Sequence, residues 1–100
     1  MQAVQPINKS YTFNSATPLV ITDVQDLKNP AIVISVGSGN TVSVEYSLTP
    51  NIQGGNTPTW IAWDKGTITA NAGDVYLGTM QALRVTRTAG TSPVTVEINV

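Results

Sequence analysis

The sequence predicts an all-β protein, an antiparallel β-sandwich of about eight short strands with jelly-roll or immunoglobulin-like topology. Apolar and polar residues alternate with a period of two along most of the chain, and no stretch has a helical apolar face. Val, Ile and Thr fill these runs, as strand propensity favours. Turn-forming residues separate the runs at short intervals without intervening helices, which is typical of a sandwich or a small barrel.

Four strands are predicted in the first half of the chain. "SYTFN" places Tyr11 and Phe13 on one side, and "PLVIT" is a short apolar run. "AIVISV" predicts a central strand with both faces covered. "TVSVEYSL" predicts a strand whose apolar residues face the core, while Ser43, Glu45 and Ser47 face outward. Residues 25–29 can form one helical turn at most.

The second half predicts further strands in "TWIAW", "GTITA", "DVYLGT", "ALRVTR" and "PVTVEINV". In "ALRVTR" the inward residues are Leu83 and Val85. The last run is predicted to point four residues inward: Val94, Val96, Ile98 and Val100.

Two glycine-containing segments predict hairpins. "VGSGNT" gives the strongest signal, because Gly37, Gly39 and Asn40 tolerate positive φ. "RTAGTSPV" is predicted to join the last two strands in the same way. The polar, proline-containing residues 1–8 predict an N-terminal arm, and residues 9–100 predict a single domain, because a chain of this length holds one core.

Composition argues against several classes of function. Only 11% of residues are charged, the net charge is −1, and five Lys and Arg residues are too few to neutralise many phosphates, so no nucleic-acid partner is predicted. No apolar run approaches the ~20 residues that span a bilayer, so no membrane association is predicted. The chain lacks Cys and His, and its acids are dispersed; we therefore predict neither catalysis nor a cofactor.

The loop "TDVQDLKN" offers a possible calcium site. Asp23 and Asp26 have the spacing of a ligand pair, but Ca²⁺ takes 6–8 oxygen ligands and two carboxylates are few. The favoured interpretation is that one carboxylate caps the turn and that Lys28 balances the charge. We therefore predict no metal.

Four residues are candidate interface residues: Trp60, Trp63, Arg84 and Arg87. Strand alternation places the two indoles on opposite faces, whereas a flat sugar platform needs both on one face. One tryptophan is therefore expected in the core and the other outward, and the sequence leaves open which is which. The two arginines are also expected on opposite sides, at least one of them at a rim, where arginine suits an interface.

The order "TVSVEYSLTP…TWIAWDKGTITANAG…MQALRVTRTAGTSPVTVEINV", over residues 41–100, resembles small β-sandwich virion proteins of tailed bacteriophages. The resemblance implies a non-enzymatic structural protein, foremost a capsid decoration protein on the outer head surface. Its partners would be the major capsid protein or other virion proteins. It would be a homo-oligomer, with a trimer expected, located in the virion after assembly in the host cytoplasm.

Two alternatives stay open at this point. The first is a carbohydrate- or receptor-binding module of a tail or head fibre, using Trp60 and Trp63 together with Tyr46 and Tyr76. The second is an immunoglobulin-like accessory domain that does not self-assemble.

Overall fold

A computed structural model describes residues 8–100, which form two antiparallel four-stranded sheets. The eight strands are β1 (Asn8–Phe13), β2 (Leu19–Ile21), β3 (Ala31–Ser35), β4 (Thr41–Ser47), β5 (Trp60–Ile68), β6 (Ala72–Val75), β7 (Ala82–Ala89) and β8 (Val94–Asn99). Sheet 1 has the strand order β1-β8-β3-β6, and sheet 2 has the order β2-β7-β4-β5. The predicted all-β sandwich is confirmed.

The strand order distinguishes between the two predicted topologies. Only β4 and β5 are both consecutive in the chain and hydrogen-bonded to each other; every other connection in residues 8–100 passes from one sheet to the other. An immunoglobulin sandwich instead pairs its first two strands within one sheet. The observed order is that of an eight-stranded jelly roll.

The core lies between the two sheets and is filled by alternating aliphatic side chains. Ile32 and Ile34 of β3 and Ile98 of β8 are fully buried. β3 is central in sheet 1, as predicted, but its other face is half-buried, so the prediction that both faces are covered was wrong. Val100 was also placed wrongly, because β8 ends at Asn99 and leaves this side chain 48% exposed.

Both predicted hairpins are wrong. β3 and β4 lie in different sheets, as do β7 and β8, so "VGSGNT" and "RTAGTSPV" cross the end of the sandwich. Gly37 and Gly39 have positive φ (84° and 74°), as the turn prediction required. Such residues show that the chain turns sharply, but they do not specify the strand with which it then pairs.

The side chain of a buried asparagine links the β3–β4 loop to the β7–β8 loop. The amide of Asn40, 2% exposed, donates to the carbonyl oxygens of Val36 and Ser92, both at 2.7 Å, and its Oδ1 accepts the N–H of Ser92 at 3.2 Å. Gly90, with φ +94°, lies so close to this side chain that a Cβ would collide with it. Asn40 therefore serves as a polar link between loops, and it does not adopt the positive φ that asparagine tolerates.

β5 spans both of the runs that were predicted as separate strands. Along it, Ala62 pairs with Glu45 and Thr67 pairs with Ser43, so β5 carries extra residues opposite a short piece of β4. This stretch is a bulge, and Gly66 supplies its positive φ of 64°. Asp64 and Lys65 lie within this bulge and are exposed at the free edge of sheet 2, where β5 has no further neighbouring strand within residues 8–100.

The remaining sequence predictions concern the N-terminal arm and the loop after β2. Residues 1–7 of the predicted N-terminal arm lie outside the described residues, and Asn8 already belongs to β1. The loop after β2 forms a turn, closed by a hydrogen bond from the Leu27 N–H to the Val24 carbonyl at 3.0 Å. No helix occurs within residues 8–100.

Candidate functional sites

The two tryptophans lie on opposite faces of sheet 2. Trp63 is 4% exposed and belongs to the core cluster, whereas Trp60 is only half-buried and lies on the outer side. The expectation of one core ring and one outward ring therefore holds, and Trp63 is the core residue. The two indoles cannot form a single flat platform.

The outward ring belongs to a small cluster, here called the outer patch: Trp60, Glu45 and Arg84. The Arg84 Cζ lies 4.5 Å from the centroid of the Trp60 ring. Its Nε and Nη2 donate to the Glu45 Oε1 at 3.0 and 2.7 Å. Glu45 and Arg84 are directly opposite each other on β4 and β7, and cross-strand neighbours share a face. The guanidinium is thus held between an aromatic ring and a carboxylate.

Two neighbours extend the outer patch. Val20 of β2 is paired with Arg84 and is 47% exposed, which adds apolar surface. Ser47 lies on the outer face, as predicted, but it is fully buried there: it is paired with Trp60, and its Oγ accepts the N–H of Thr49 at 3.2 Å. The start of the β4–β5 loop therefore folds against this part of the sheet.

Arg87, the second candidate arginine, lies elsewhere. Its Nη1 donates to the Asn14 Oδ1 and, at 2.8 Å, to the Ser92 carbonyl oxygen. These bonds join the β1–β2 and β7–β8 loops at the end of the sandwich. The four candidate residues thus separate into an outer pair (Trp60 and Arg84), a core ring (Trp63) and a loop contact (Arg87).

A second site lies between β5 and β6, the edge strands on one side of the two sheets. A cavity of about 440 Å³ opens between them. Its lining residues are Tyr46, Ala62, Trp63, Asp64, Asp74, Val75, Tyr76 and Leu77. This site is here called the groove. The Tyr46 and Tyr76 rings are 5.0 Å apart between centroids and inclined at 59°, so they form an angled wall.

The groove is both acidic and apolar. Asp64 and Asp74 line it, and the Lys65 Nζ lies 3.9 Å from the Asp74 Oδ2. Val75 and Leu77 are 49% and 83% exposed at its rim. Burial and, after it, the proximity of Tyr46 raise the pKa of Tyr76.

The acidic loop that suggested calcium is occupied by protein groups. The Asp23 carboxylate accepts the Tyr11 hydroxyl at 2.7–2.8 Å and the Lys9 ammonium at 2.9 Å. Lys9 therefore balances its charge, and the prediction that Lys28 would do so was wrong, since Lys28 forms no salt bridge within residues 8–100. In the same residues, no group of three His, Cys, Asp or Glu side chains could hold a metal ion.

The contacts among Lys9, Tyr11 and Asp23 shift the pKa values of Asp23 and Tyr11. Burial alone would raise the pKa of Asp23, but the hydrogen bonds from Tyr11 and Lys9 and the charge of Lys9 outweigh it, so the pKa is lowered. The pKa of Tyr11 is raised to about 12 by burial, by the hydrogen bond that Tyr11 donates to Asp23, and by the negative charge of Asp23.

Sequence reasoning missed most of the groove. Tyr46 and Tyr76 were named for a sugar site, but Asp64, Asp74 and Leu77 were not assigned to any site. The two acids belong to different sheets, and they meet only because β5 and β6 occupy corresponding edges. The spacing of Asp64 and Asp74 in the sequence does not indicate that both line one groove.

Comparison of the chain with protein-family models, with curated proteins and with solved structures found no match. Within residues 8–100 there is no helix that is long and apolar enough to cross a membrane.

Proposed function

We propose that the protein is a non-enzymatic structural protein of a tailed-phage virion, a capsid decoration protein that binds the major capsid protein on the outer head surface. The observation that carries the proposal is the outer patch. Trp60, Arg84 and Glu45 present a preorganised aromatic and charged cluster on the outer face of sheet 2.

The composition of the outer patch suits a contact with another protein. Trp and Arg are the residue types most enriched among those that dominate binding energy at protein interfaces. The Arg84 guanidinium is fixed by Glu45 and by the ring of Trp60, so little side-chain freedom is lost when a partner covers it. Exposed Val20 adjoins the cluster and adds apolar area.

The rest of the molecule agrees with an assembly role. Jelly rolls recur in viral capsid domains, although a fold alone does not establish a function. The net charge of −1 gives little electrostatic repulsion between copies, which suits a protein that assembles on a lattice. The strand order and turns over residues 41–100 resemble those of phage virion proteins.

The carbohydrate-binding alternative drew on both tryptophans. Trp60 and Trp63 face opposite sides of sheet 2, so their rings cannot stack on one sugar together. The geometry therefore favours the structural role over a sugar platform built from this pair.

Co-sedimentation with purified heads of the phage that encodes the chain tests the proposal. We expect the wild-type protein to sediment with heads, and Trp60→Ala and Arg84→Ala to remain in the supernatant while still folded. Lys28→Ala is the matched control, because it removes one exposed cation from a loop outside the outer patch. Failure of the wild-type protein to sediment at any salt concentration would contradict the capsid role.

We also propose a homo-oligomer, specifically a trimer, because decoration proteins often occupy threefold positions. Multi-angle light scattering of the purified protein measures the mass directly. A mass of three chains, each of 10.6 kDa, supports the trimer, and a strict monomer at high concentration would contradict it.

A further inference from the structure

We propose that the groove between β5 and β6 is a binding site for a small quaternary ammonium ligand, a methylated cationic nitrogen of the choline type. The site is separate from the outer patch and does not depend on the capsid role. Its aromatic walls, its excess of carboxylate groups and its apolar rim each support a cation with an apolar surface.

The size and the aromatic lining fit a small organic ligand. Ligand pockets have volumes of roughly 300–1,000 Å³, and the groove, at about 440 Å³, falls within that range. Three aromatic residues from different segments of the chain line the groove: the half-buried Tyr46 and Tyr76, which offer ring surface to a cation, and the almost fully buried Trp63. Aromatic rings attract a cation placed over their faces, and cages of such rings are a common way to recognise methylated ammonium groups.

The charge of the groove favours a cation. Asp64 and Asp74 are two carboxylates on its walls, while Lys65 is one ammonium at its rim. A useful reference is the Lys9–Asp23 pair on the opposite side of the sandwich. There the ammonium approaches to 2.9 Å, whereas Lys65 stays 3.9 Å from Asp74, so the groove carboxylates are less fully neutralised.

The apolar rim favours a methylated nitrogen. Val75 and Leu77 are among the most exposed large apolar side chains, and Ala62 also lines the wall. A primary ammonium needs a hydrogen-bond acceptor for each of its three protons, whereas a trimethylammonium group needs none and covers apolar surface with its methyl groups. The groove offers aromatic faces and methyl groups, with the two carboxylates as its charged acceptors.

A neutral sugar suits this geometry less well. Stacking of a sugar ring requires a flat, accessible aromatic face, but Trp63 is 4% exposed. The two tyrosine rings are inclined at 59°, so together they form no flat surface. An angled pair of rings encloses a compact group better than it supports a planar one.

The experiment is an NMR and calorimetric titration of the purified full-length chain. The probes are choline and tetramethylammonium, with 3,3-dimethyl-1-butanol as the uncharged isostere of choline. Glucose and galactose form the sugar arm. We expect shifts at the Trp63 indole and at Tyr76 with both cations, and binding of the alcohol about tenfold weaker or undetectable, as loss of a cation–π attraction implies.

Variants assign the effect to individual groups. Asp64→Asn and Asp74→Asn should each weaken choline binding several-fold, while Asp26→Asn, the matched control in an exposed loop, should leave it unchanged. Lys65→Met should strengthen it, because the competing ammonium next to Asp74 is removed. Both Asp side chains are partly or fully exposed, so these variants are expected to fold, which circular dichroism verifies.

Three results would overturn the proposal. In the first, choline leaves the spectrum unchanged at concentrations up to solubility; in the second, the neutral isostere binds as tightly as choline; in the third, a sugar binds in its place with no response to Lys65→Met. Head binding by the outer patch is measured separately, so none of these results affects the capsid proposal.

Discussion

The outer patch and the groove are two aromatic sites built around tryptophans only three residues apart, yet they differ in how their charges are satisfied. In the outer patch, the Arg84 guanidinium is bonded to Glu45 at 2.7 Å. In the groove, the one salt bridge that Asp64 and Asp74 form within residues 8–100 is that of Asp74 with Lys65, at 3.9 Å. The charges of the first site are paired within the protein, whereas the second has two carboxylates to one ammonium, and the two proposed partners follow from this difference.

Strand alternation in β5 places the two rings on opposite faces, and the bulge that follows adds exposed charge near the groove. Before the bulge, β5 pairs regularly with β4, so Trp60 takes its place beside Ser47 on the outer face. Within it, Trp63 enters the core while Asp64 and Lys65 are carried out to the free edge. Alternation and the bulge together therefore place the outer patch and the groove along a single strand.

Removal of each tryptophan is the strongest way to test this comparison. Trp63→Ala should lower the free energy of unfolding by about 3–5 kcal/mol, because it leaves a large cavity in a small core. Trp60→Ala should lower it by about 1 kcal/mol or less, since the ring is half-buried and its main contact is the Arg84 cation. Urea denaturation followed by circular dichroism measures both values.

Equal losses for the two variants would contradict the assignment of Trp63 to the core and Trp60 to the surface. Trp63→Phe is the companion variant, because it keeps an aromatic ring and should recover a large part of the loss.

The sequence was sufficient to predict the sandwich, the approximate strands and the opposite orientation of the two tryptophans. All of these follow from local alternation, which each strand carries in its own residues. The hairpins were predicted wrongly at Gly37 and Gly90 because turn residues specify a local backbone conformation, whereas the pairing partner is decided by contacts across the whole chain.

The groove could not be predicted for the same reason. Tyr46 belongs to β4, Asp64 to β5 and Asp74 to β6, and the last two strands lie in different sheets. Nothing local in the sequence indicates that these segments meet. The outer patch was partly predictable, since Trp60 and Arg84 were both expected as interface candidates, but their contact with each other depends on strand register.

The charge pairs provide a second, smaller test. A double-mutant cycle with Glu45→Gln and Arg84→Gln should give a coupling of about 0.5–1 kcal/mol, because the pair is half-buried and makes two hydrogen bonds. The matching cycle with Lys65→Met and Asp74→Asn should give about 0–0.3 kcal/mol, because the atoms are 3.9 Å apart and more exposed. A larger coupling for the groove pair would contradict the view that its carboxylates are free for a ligand.

The smallest expected effect is in the pH dependence of the Lys9–Asp23 reference pair. The folded-state pKa of Asp23 is lowered, so its contribution to stability is present above the unfolded pKa of about 3.9 and is lost as the pH falls through the lowered value. Asp23→Asn should therefore lower stability at pH 7 by less than about 1 kcal/mol, since the side chain is 49% exposed. It should also reduce the loss of stability that the wild-type protein shows at acidic pH. Denaturation midpoints between pH 2 and pH 7 measure both effects, and an unchanged loss of stability at acidic pH would contradict the prediction.

The most direct test of the central claim, that the two sites bind different partners, measures head co-sedimentation and choline titration on the same two variants. Trp60→Ala should lose binding to heads and keep the choline-induced shifts of the wild-type protein. Asp74→Asn should keep head binding and lose most of the choline affinity. If either variant changed both activities together while remaining folded, or if Trp60→Ala sedimented like the wild-type protein, the assignment of docking to the outer patch would be contradicted.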